Sequence, residues 1–192
     1  MNIIFATHNP NKTKEIKNQL GDNFTVQSLS DIGFTDEIKE TANTLEGNAL
    51  LKVRAIHQKT GKNCFADDTG LEVEVLNGAP GVYSARYAGD HCNAEDNMDK
   101  LLSALKEAKN RTARFRTVVA LILNGKEYTF EGICEGEILP EQTGEEGFGY
   151  DPIFKPKGYD RSFAQMSLND KNEISHRGLA VKKLINFLKA QS

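Results

Sequence analysis

Cysteine is scarce in this chain. The three present, Cys64, Cys92 and Cys134, are odd in number, far apart and never spaced as C-x-x-C, which speaks against a disulfide framework or a zinc site and fits a reducing cytoplasm. Long apolar runs are missing too. Val118 to Leu123 falls far short of the roughly 20 residues that span a bilayer, and the four apolar residues after Asn2 lack the basic lead and the length of a signal peptide. Nor is there a cationic excess. Twenty-four Lys and Arg stand against 27 Asp and Glu, a net charge of -3, so a general affinity for nucleic acid or anionic membrane is not expected. Any anionic ligand must be met by a local cluster of cations. With no repeat, linker or charge block, the 192 residues read as one globular domain or a compact two-lobed one, long enough to bury a core without staples.

What is present is a mixture of strand and helix patterns. Residues 2–6 read as a short buried strand and residues 12–20 as a helix with Ile16 and Leu20 on one face. Asn43 is positioned to cap a second helix, with Glu46 as its capping partner, a stripe of Leu45, Ala49, Val53 and Ile56, and Gly61 as the stop. A strand over 63–66 is expected to end at Asp67-Asp68, followed by a half-exposed strand through Leu71, Val73 and Val75 to a turn at Asn77-Gly78. Asn93 caps a helix bearing Met98, Leu101, Leu102 and Leu105. Residues 115–123 and 127–130 flank the hairpin turn Asn124-Gly125. A last helix over 175–190 turns Val181, Leu184, Ile185 and Leu188 inward. This is the pattern of an α/β fold around a mixed sheet.

Four segments could carry chemistry. The turn Thr7-His8-Asn9-Pro10-Asn11-Lys12 joins a strand to a helix, where backbone N–H groups, the positive helix end and a Lys together suit a phosphate; an ordinary capped turn fits equally well. It lacks the glycines of a P-loop. Asp67-Asp68 stands past a buried strand, where an open α/β sheet can hold Mg²⁺, although a lone Asp-Asp is more often only a turn. Its spacing is not the D-x-D-x-T of haloacid-dehalogenase-like phosphatases. Gly147-Phe148-Gly149-Tyr150-Asp151-Pro152 is no dinucleotide fingerprint, because Pro152 stands where the third glycine would be. Its aromatics could still pack on a purine. In Ser175-His176-Arg177-Gly178, preceded by Lys171, a His and an Arg in a first helical turn oppose the helix dipole, a conflict that an anionic or carbonyl-bearing ligand would relieve.

Taken in order, these segments resemble the inosine triphosphate pyrophosphatase family. Thr7 to Lys12 is similar to its (T/S)-x-N-x-x-K element, and Thr44 to Ala49 with Lys52 to its T-x-x-x-N-A-x-x-K helix. Ala66-Asp67-Asp68-Thr69-Gly70-Leu71 is similar to A-D-D-S-G-L, and the segment 79–87, Gly147 to Phe154 and Ser175 to Gly178 complete the set. Thr69 replaces the commoner Ser, and His8 stands where Gly is frequent. The resemblance implies an elongated mixed sheet flanked by helices, two lobes with a central cleft, and a homodimer acting as a single pyrophosphatase domain over residues 1–192.

It also implies hydrolysis of dITP, ITP and XTP to the monophosphate and pyrophosphate, with Mg²⁺ required. Asp68 would be the general base and, with Glu40, a metal ligand; Glu46 is the other acid that could serve the ion. Thr7 to Lys12, Lys52 and Thr69 would meet the phosphates. Phe148, Gly149, Tyr150, Asp151, Lys171, His176 and Arg177 would surround the base, where donors to a 6-oxo group are left unpaired by adenine. Two other readings compete. A Maf-like pyrophosphatase of other nucleoside triphosphates is disfavoured by the segments 147–151 and 175–177. A non-catalytic nucleotide-binding regulator is disfavoured by the two aspartates.

Overall fold

A computed structural model describes residues 1–20 and 24–191. Among these residues, seven strands and five helices follow the order β1 (Asn2–Phe5), α1 (Pro10–Leu20), β2 (Thr25–Ser28), α2 (Leu45–Thr60), β3 (Cys64–Val73), β4 (Pro80–Gly81), α3 (Ala94–Ala104), β5 (Thr112–Leu123), β6 (Lys126–Ile138), β7 (Phe154–Pro156), α4 (Leu168–Ile174) and α5 (His176–Ala190). The strands form one mixed sheet in the order β2-β1-β3-β5-β6-β7, with β4 paired to β3. β1 runs parallel to both β2 and β3, and β4 and β7 run antiparallel to their neighbours. No helix among the described residues is long and apolar enough to cross a membrane.

The chain divides into two compact units. The first comprises Met1–Asp68, Thr117–Gly132 and Arg177 onward; the second comprises Thr69–Arg116 and Ile133–His176. In the first, Phe5, Phe65, Val119 and Leu121 of the sheet pack with Ile16 and Leu20 of α1 and with Val181, Leu184 and Leu188 of α5. These odd-numbered strand positions share one face because strand side chains alternate. On the opposite face Cys64 meets α2, its thiol 3.4 Å from the Val53 carbonyl. The second unit gathers Leu71, Val73, Met98, Leu101, Phe115, Phe154 and Phe163.

Several boundaries differ from those the pattern predicts. α1 begins at Pro10, which suits a first helical position because the N–H it lacks would have no helical partner. The cap of α2 is Thr44 rather than Asn43: its hydroxyl accepts from Gly47 N–H at 3.0 Å. Gly61 ends the helix as expected, in the left-handed region at φ 66°. β3 does not stop at Asp67-Asp68 but continues to Val73, and Val75, expected on a strand, lies in a short 3-10 turn with its side chain exposed. The 175–190 helix begins at His176, because Ser175 is extended and separates α5 from α4. The Asn124-Gly125 hairpin is present with both residues at positive φ, and Asn93 caps α3.

Candidate active site

In the first unit, strand alternation sends the two adjacent aspartates to different helices. Asp67 follows Phe65 onto the face of α1 and α5. Its Oδ1 accepts from Lys12 Nζ at 3.0 Å and its Oδ2 from Arg177 Nε at 3.1 Å. Arg177 Nη1 also donates to Glu15 Oε2 at 2.5 Å. All of this is buried except Lys12, which is partly exposed. Burial alone would raise the Asp67 carboxyl, but the cations of Lys12 and Arg177 outweigh it and hold the group far below the usual carboxylate range. Asp67 is therefore a fixed anion and no acceptor for a reacting proton. Burial also lowers the Lys12 ammonium, against the pull of Asp67.

Asp68 lies toward α2. Its Oδ2 accepts from Asn48 Nδ2 at 3.2 Å and its Oδ1 from Lys52 Nζ at 3.4 Å, while the same ammonium donates to Glu40 Oε1 at 2.6 Å. Asn48 and Lys52 are four residues apart and so share one face of the helix. Burial raises the Asp68 carboxyl, Lys52 opposes this, and the nearby charge of Glu40 adds to it. The Lys52 ammonium is raised: burial would lower it, but Asp68 and Glu40 outweigh that cost. Neighbours in sequence thus differ in chemistry. Asp67 stays ionised, and Asp68 has the higher affinity for a proton.

Three amides of the turn from Thr7 to Lys12 are held by the turn's own side chains. Asn9 N–H donates to Thr7 Oγ1 at 3.1 Å, Asn9 Oδ1 accepts from Asn11 N–H at 2.9 Å and Lys12 N–H at 3.3 Å, and Pro10 has no N–H. The turn caps itself with two side-chain oxygens. His8 leans outward, its Nε2 3.1 Å from the Asp36 carbonyl and its ring 6.2 Å from that of Phe34.

In the second unit, the Gly147 to Asp151 turn is organised by one buried carboxylate. Asp151 Oδ2 accepts from Phe148 N–H at 2.8 Å and from Lys171 Nζ at 2.6 Å. Gly147 has φ 78°, and a Cβ there would run into that carboxylate, so the position requires glycine. Lys171 Nζ also sits 5.0 Å from the Phe148 ring centre. Phe148 and Gly149 are half-buried, whereas Tyr150 belongs to the core and donates its hydroxyl to the Ser84 carbonyl at 2.7 Å. Its hydroxyl is pushed above its ordinary value by burial. Tyr150 is thus a pillar under the turn rather than an open aromatic face. His176 is buried and stacked on Phe115, with ring centres 4.4 Å apart.

The guanidinium of Arg177, expected beside a base, is bonded to Asp67 and Glu15. Glu15 and Asp67 supply the anions that its place at a helix start calls for, so the dipole conflict is relieved inside the protein. Thr69, half-buried on β3, opens the second unit directly after Asp68. Glu46 is exposed on the first turn of α2, and Glu40 is the acid held at Lys52. Two residues central to these clusters escaped assignment from sequence. Asn48 was legible only as part of a motif, and Glu15, a lone acid on an amphipathic helix, carried no signal. Neither buried thiol supplies a nucleophile, since burial pushes both Cys64 and Cys134 up to about 12.

Glu40 and Asp68 suit a magnesium ion of the kind held by one or two carboxylates with substrate phosphates completing the shell. Both carboxylates already converge on one cation, Lys52. Four carboxylates, Glu15, Glu40, Asp67 and Asp68, face three cations, Lys12, Lys52 and Arg177. A polyphosphate added to this set calls for further positive charge. Among the described residues no group of three or more His, Cys, Asp or Glu side chains forms a closed metal cage.

The profile of the Ham1 family matches residues 3–187. The chain is 56% identical over 190 residues to the dITP/XTP pyrophosphatase of Flavobacterium johnsoniae, covering 99% of each, and 49% identical over 191 residues to that of Bacillus subtilis, covering 97% of this chain and 96% of the relative. Among solved structures, the Ham1 protein of Staphylococcus aureus superposes over 100% of both chains with a TM-score of 0.90 at 38% identity.

Proposed function

The chain belongs to the Ham1 family, and from that premise we propose that it hydrolyses non-standard purine nucleoside triphosphates, dITP and XTP together with ITP, to the monophosphate and pyrophosphate. The enzyme class rests on the pyrophosphatases to which the chain is similar over nearly its full length. The observation that supports the chemistry is that adjacent Asp67 and Asp68 meet different partners, Lys12 and Arg177 against Asn48 and Lys52, which suits the first to stay an anion and the second to accept a proton.

Lys12 and Lys52 offset the charge of the phosphates, and phosphate oxygens take over the turn amides now held by Thr7 and Asn9. Asp68 accepts a proton from the attacking water. As the water oxygen bonds to the α-phosphorus, the bond from that phosphorus to the α,β-bridging oxygen breaks and pyrophosphate departs. Glu40 and Asp68 would hold Mg²⁺, which when bound would supply counter-charge for the phosphates and lower the pKa of water. Asp67 fixes Lys12 and Arg177. On the second unit, the half-buried Phe148 offers a purine its ring, and Lys171 and His176 donate to the 6-oxo group, with Asp151 holding Lys171 in place and Tyr150 supporting the turn from below. Residues 1–192 act as one pyrophosphatase domain, as a homodimer in the cytoplasm, clearing damaged purines from the nucleotide pool.

The test is pyrophosphate release over a panel of nucleoside triphosphates with and without Mg²⁺. Hydrolysis of dITP, ITP and XTP well above ATP and the pyrimidines, only with the ion, is the expected result. A nucleoside diphosphate and orthophosphate as primary products would overturn it.

A further inference from the structure

We propose that Asn48 is a positioning residue that registers the Glu40 carboxylate against Asp68. Asn48 is fully buried one turn into α2, and both ends of its amide are used. Its Oδ1 accepts from Ala42 N–H at 2.9 Å, two residues beyond Glu40, and its Nδ2 donates to Asp68 Oδ2 at 3.2 Å. Chemistry dictates this orientation, since a flipped amide would set oxygen against carboxylate and NH₂ against N–H. An Asp could keep only the first bond. The neighbouring Gly47 completes the seat: a Cβ there would stand 2.6 Å from the Ala42 Cβ and 3.0 Å from the capping Thr44 Oγ1.

Lys52, four residues along the same face, bridges the same two partners by touching Glu40 and Asp68. An ammonium, however, is a point charge on a flexible stem and tolerates a range of separations between its carboxylates. The rigid, two-ended amide is what fixes the separation. Lys52 supplies the charge and Asn48 the register. In so far as it concerns the metal, this inference rests on the pyrophosphatase reading, in which Glu40 and Asp68 hold Mg²⁺.

Asn48→Ala and the near-isosteric Asn48→Asp separate the two ends, with thermal melts to establish that each variant is folded. The first measurement needs neither metal nor nucleotide: hydrogen exchange at the Ala42 amide. It should be slow in the native protein, at least roughly tenfold faster in Asn48→Ala, and still slow in Asn48→Asp, which keeps the acceptor. The second is the Mg²⁺ concentration giving half-maximal ITP hydrolysis. It should rise about 10- to 100-fold in both variants, the range for partners that orient metal ligands, while KM for ITP at saturating Mg²⁺ changes much less. Gly47→Ala, which pushes Ala42 from the other side, should move the Mg²⁺ requirement the same way. A native Mg²⁺ requirement in folded Asn48→Asp, or an unprotected Ala42 amide in the native protein, would overturn the proposal. Should the native protein fail to hydrolyse ITP at any Mg²⁺ concentration, the functional reading falls, and the exchange measurement still decides the clamp.

Discussion

Replacing Arg177 with alanine tests whether its guanidinium serves the carboxylate cluster or the base. Its Nε and Nη1 are committed to Asp67 and Glu15 at 3.1 and 2.5 Å, with all three side chains buried. Removing one partner of a buried ion pair costs about 3 to 5 kcal/mol, because the other charge is left desolvated. In a domain of this size that is a fall in Tm of roughly 10 °C. The pH dependence has a definite sign. Asp67 is depressed in the folded protein despite its burial, by Lys12 and Arg177, so it contributes stability above the unfolded value of about 3.9 that is lost as pH falls through the folded one. With Arg177 gone the depression is smaller. The gap in Tm between native and variant should be full at neutral pH and narrow below about pH 4. Pyrophosphate release from ITP and from ATP should fall by a similar factor, since the guanidinium is committed to Asp67 and Glu15. A variant of native stability that loses ITP hydrolysis alone would refute the argument and return Arg177 to the base.

Three further substitutions address the remaining roles. Asp68→Asn should lower kcat by at least about 100-fold in a variant that thermal melts show to be folded; near-native turnover would place the base elsewhere. Glu40→Gln should raise the Mg²⁺ requirement and Glu46→Gln should not, an order that titrations of activity against Mg²⁺ would expose if reversed. Gly147→Ala forces a side chain into positive φ against the Asp151 carboxylate, at a cost of roughly 1 to 3 kcal/mol. It should lower Tm and raise KM for ITP, and native values of both would show that the turn is not the one drawn here.

The mixed sheet and most helices were legible because their signals are local. The stripe of α2 with its Gly61 stop, the Asn93 cap and the Asn-Gly hairpin each follow from spacing alone, and all are present. β2, β4 and β7 were not: β4 and β7 are only two and three residues long, and β2, Thr25–Ser28, has a single apolar residue where β1, of equal length, has a buried apolar run. Such strands show no pattern of their own, and their existence depends on neighbours distant in the chain. The end of the strand over 63–66 was misjudged at Asp67-Asp68 because two acids read as a turn. In fact Lys12, Arg177, Lys52 and Asn48, from three helices, satisfy the two carboxylates in mid-strand, and no local rule anticipates that. The base-binding expectations met the same limit. Tyr150 reads as an available aromatic until the Ser84 carbonyl, 66 residues earlier, is found to take its hydroxyl.

A buried Asp-Asp would be a poor design if both residues faced one way, since two carboxylates in one low-dielectric space cannot both stay charged cheaply. A strand solves this geometrically. Successive side chains leave opposite faces, so Asp67 reaches α1 and α5 while Asp68 reaches α2, and each meets different counter-charges. One is held ionised by two cations. The other is raised by burial, and the single ammonium it shares with a second carboxylate does not offset this, so it retains a higher proton affinity. Acid and base duties are assigned wherever environments push two titratable groups apart, and here the strand pleat does the pushing. The turn from Thr7 to Lys12 is tied to this division through Lys12, which with Arg177 keeps Asp67 charged. On the proposed reading, a phosphate that draws Lys12 away weakens the hold on Asp67, and Arg177, anchored by Glu15, keeps that carboxylate ionised meanwhile.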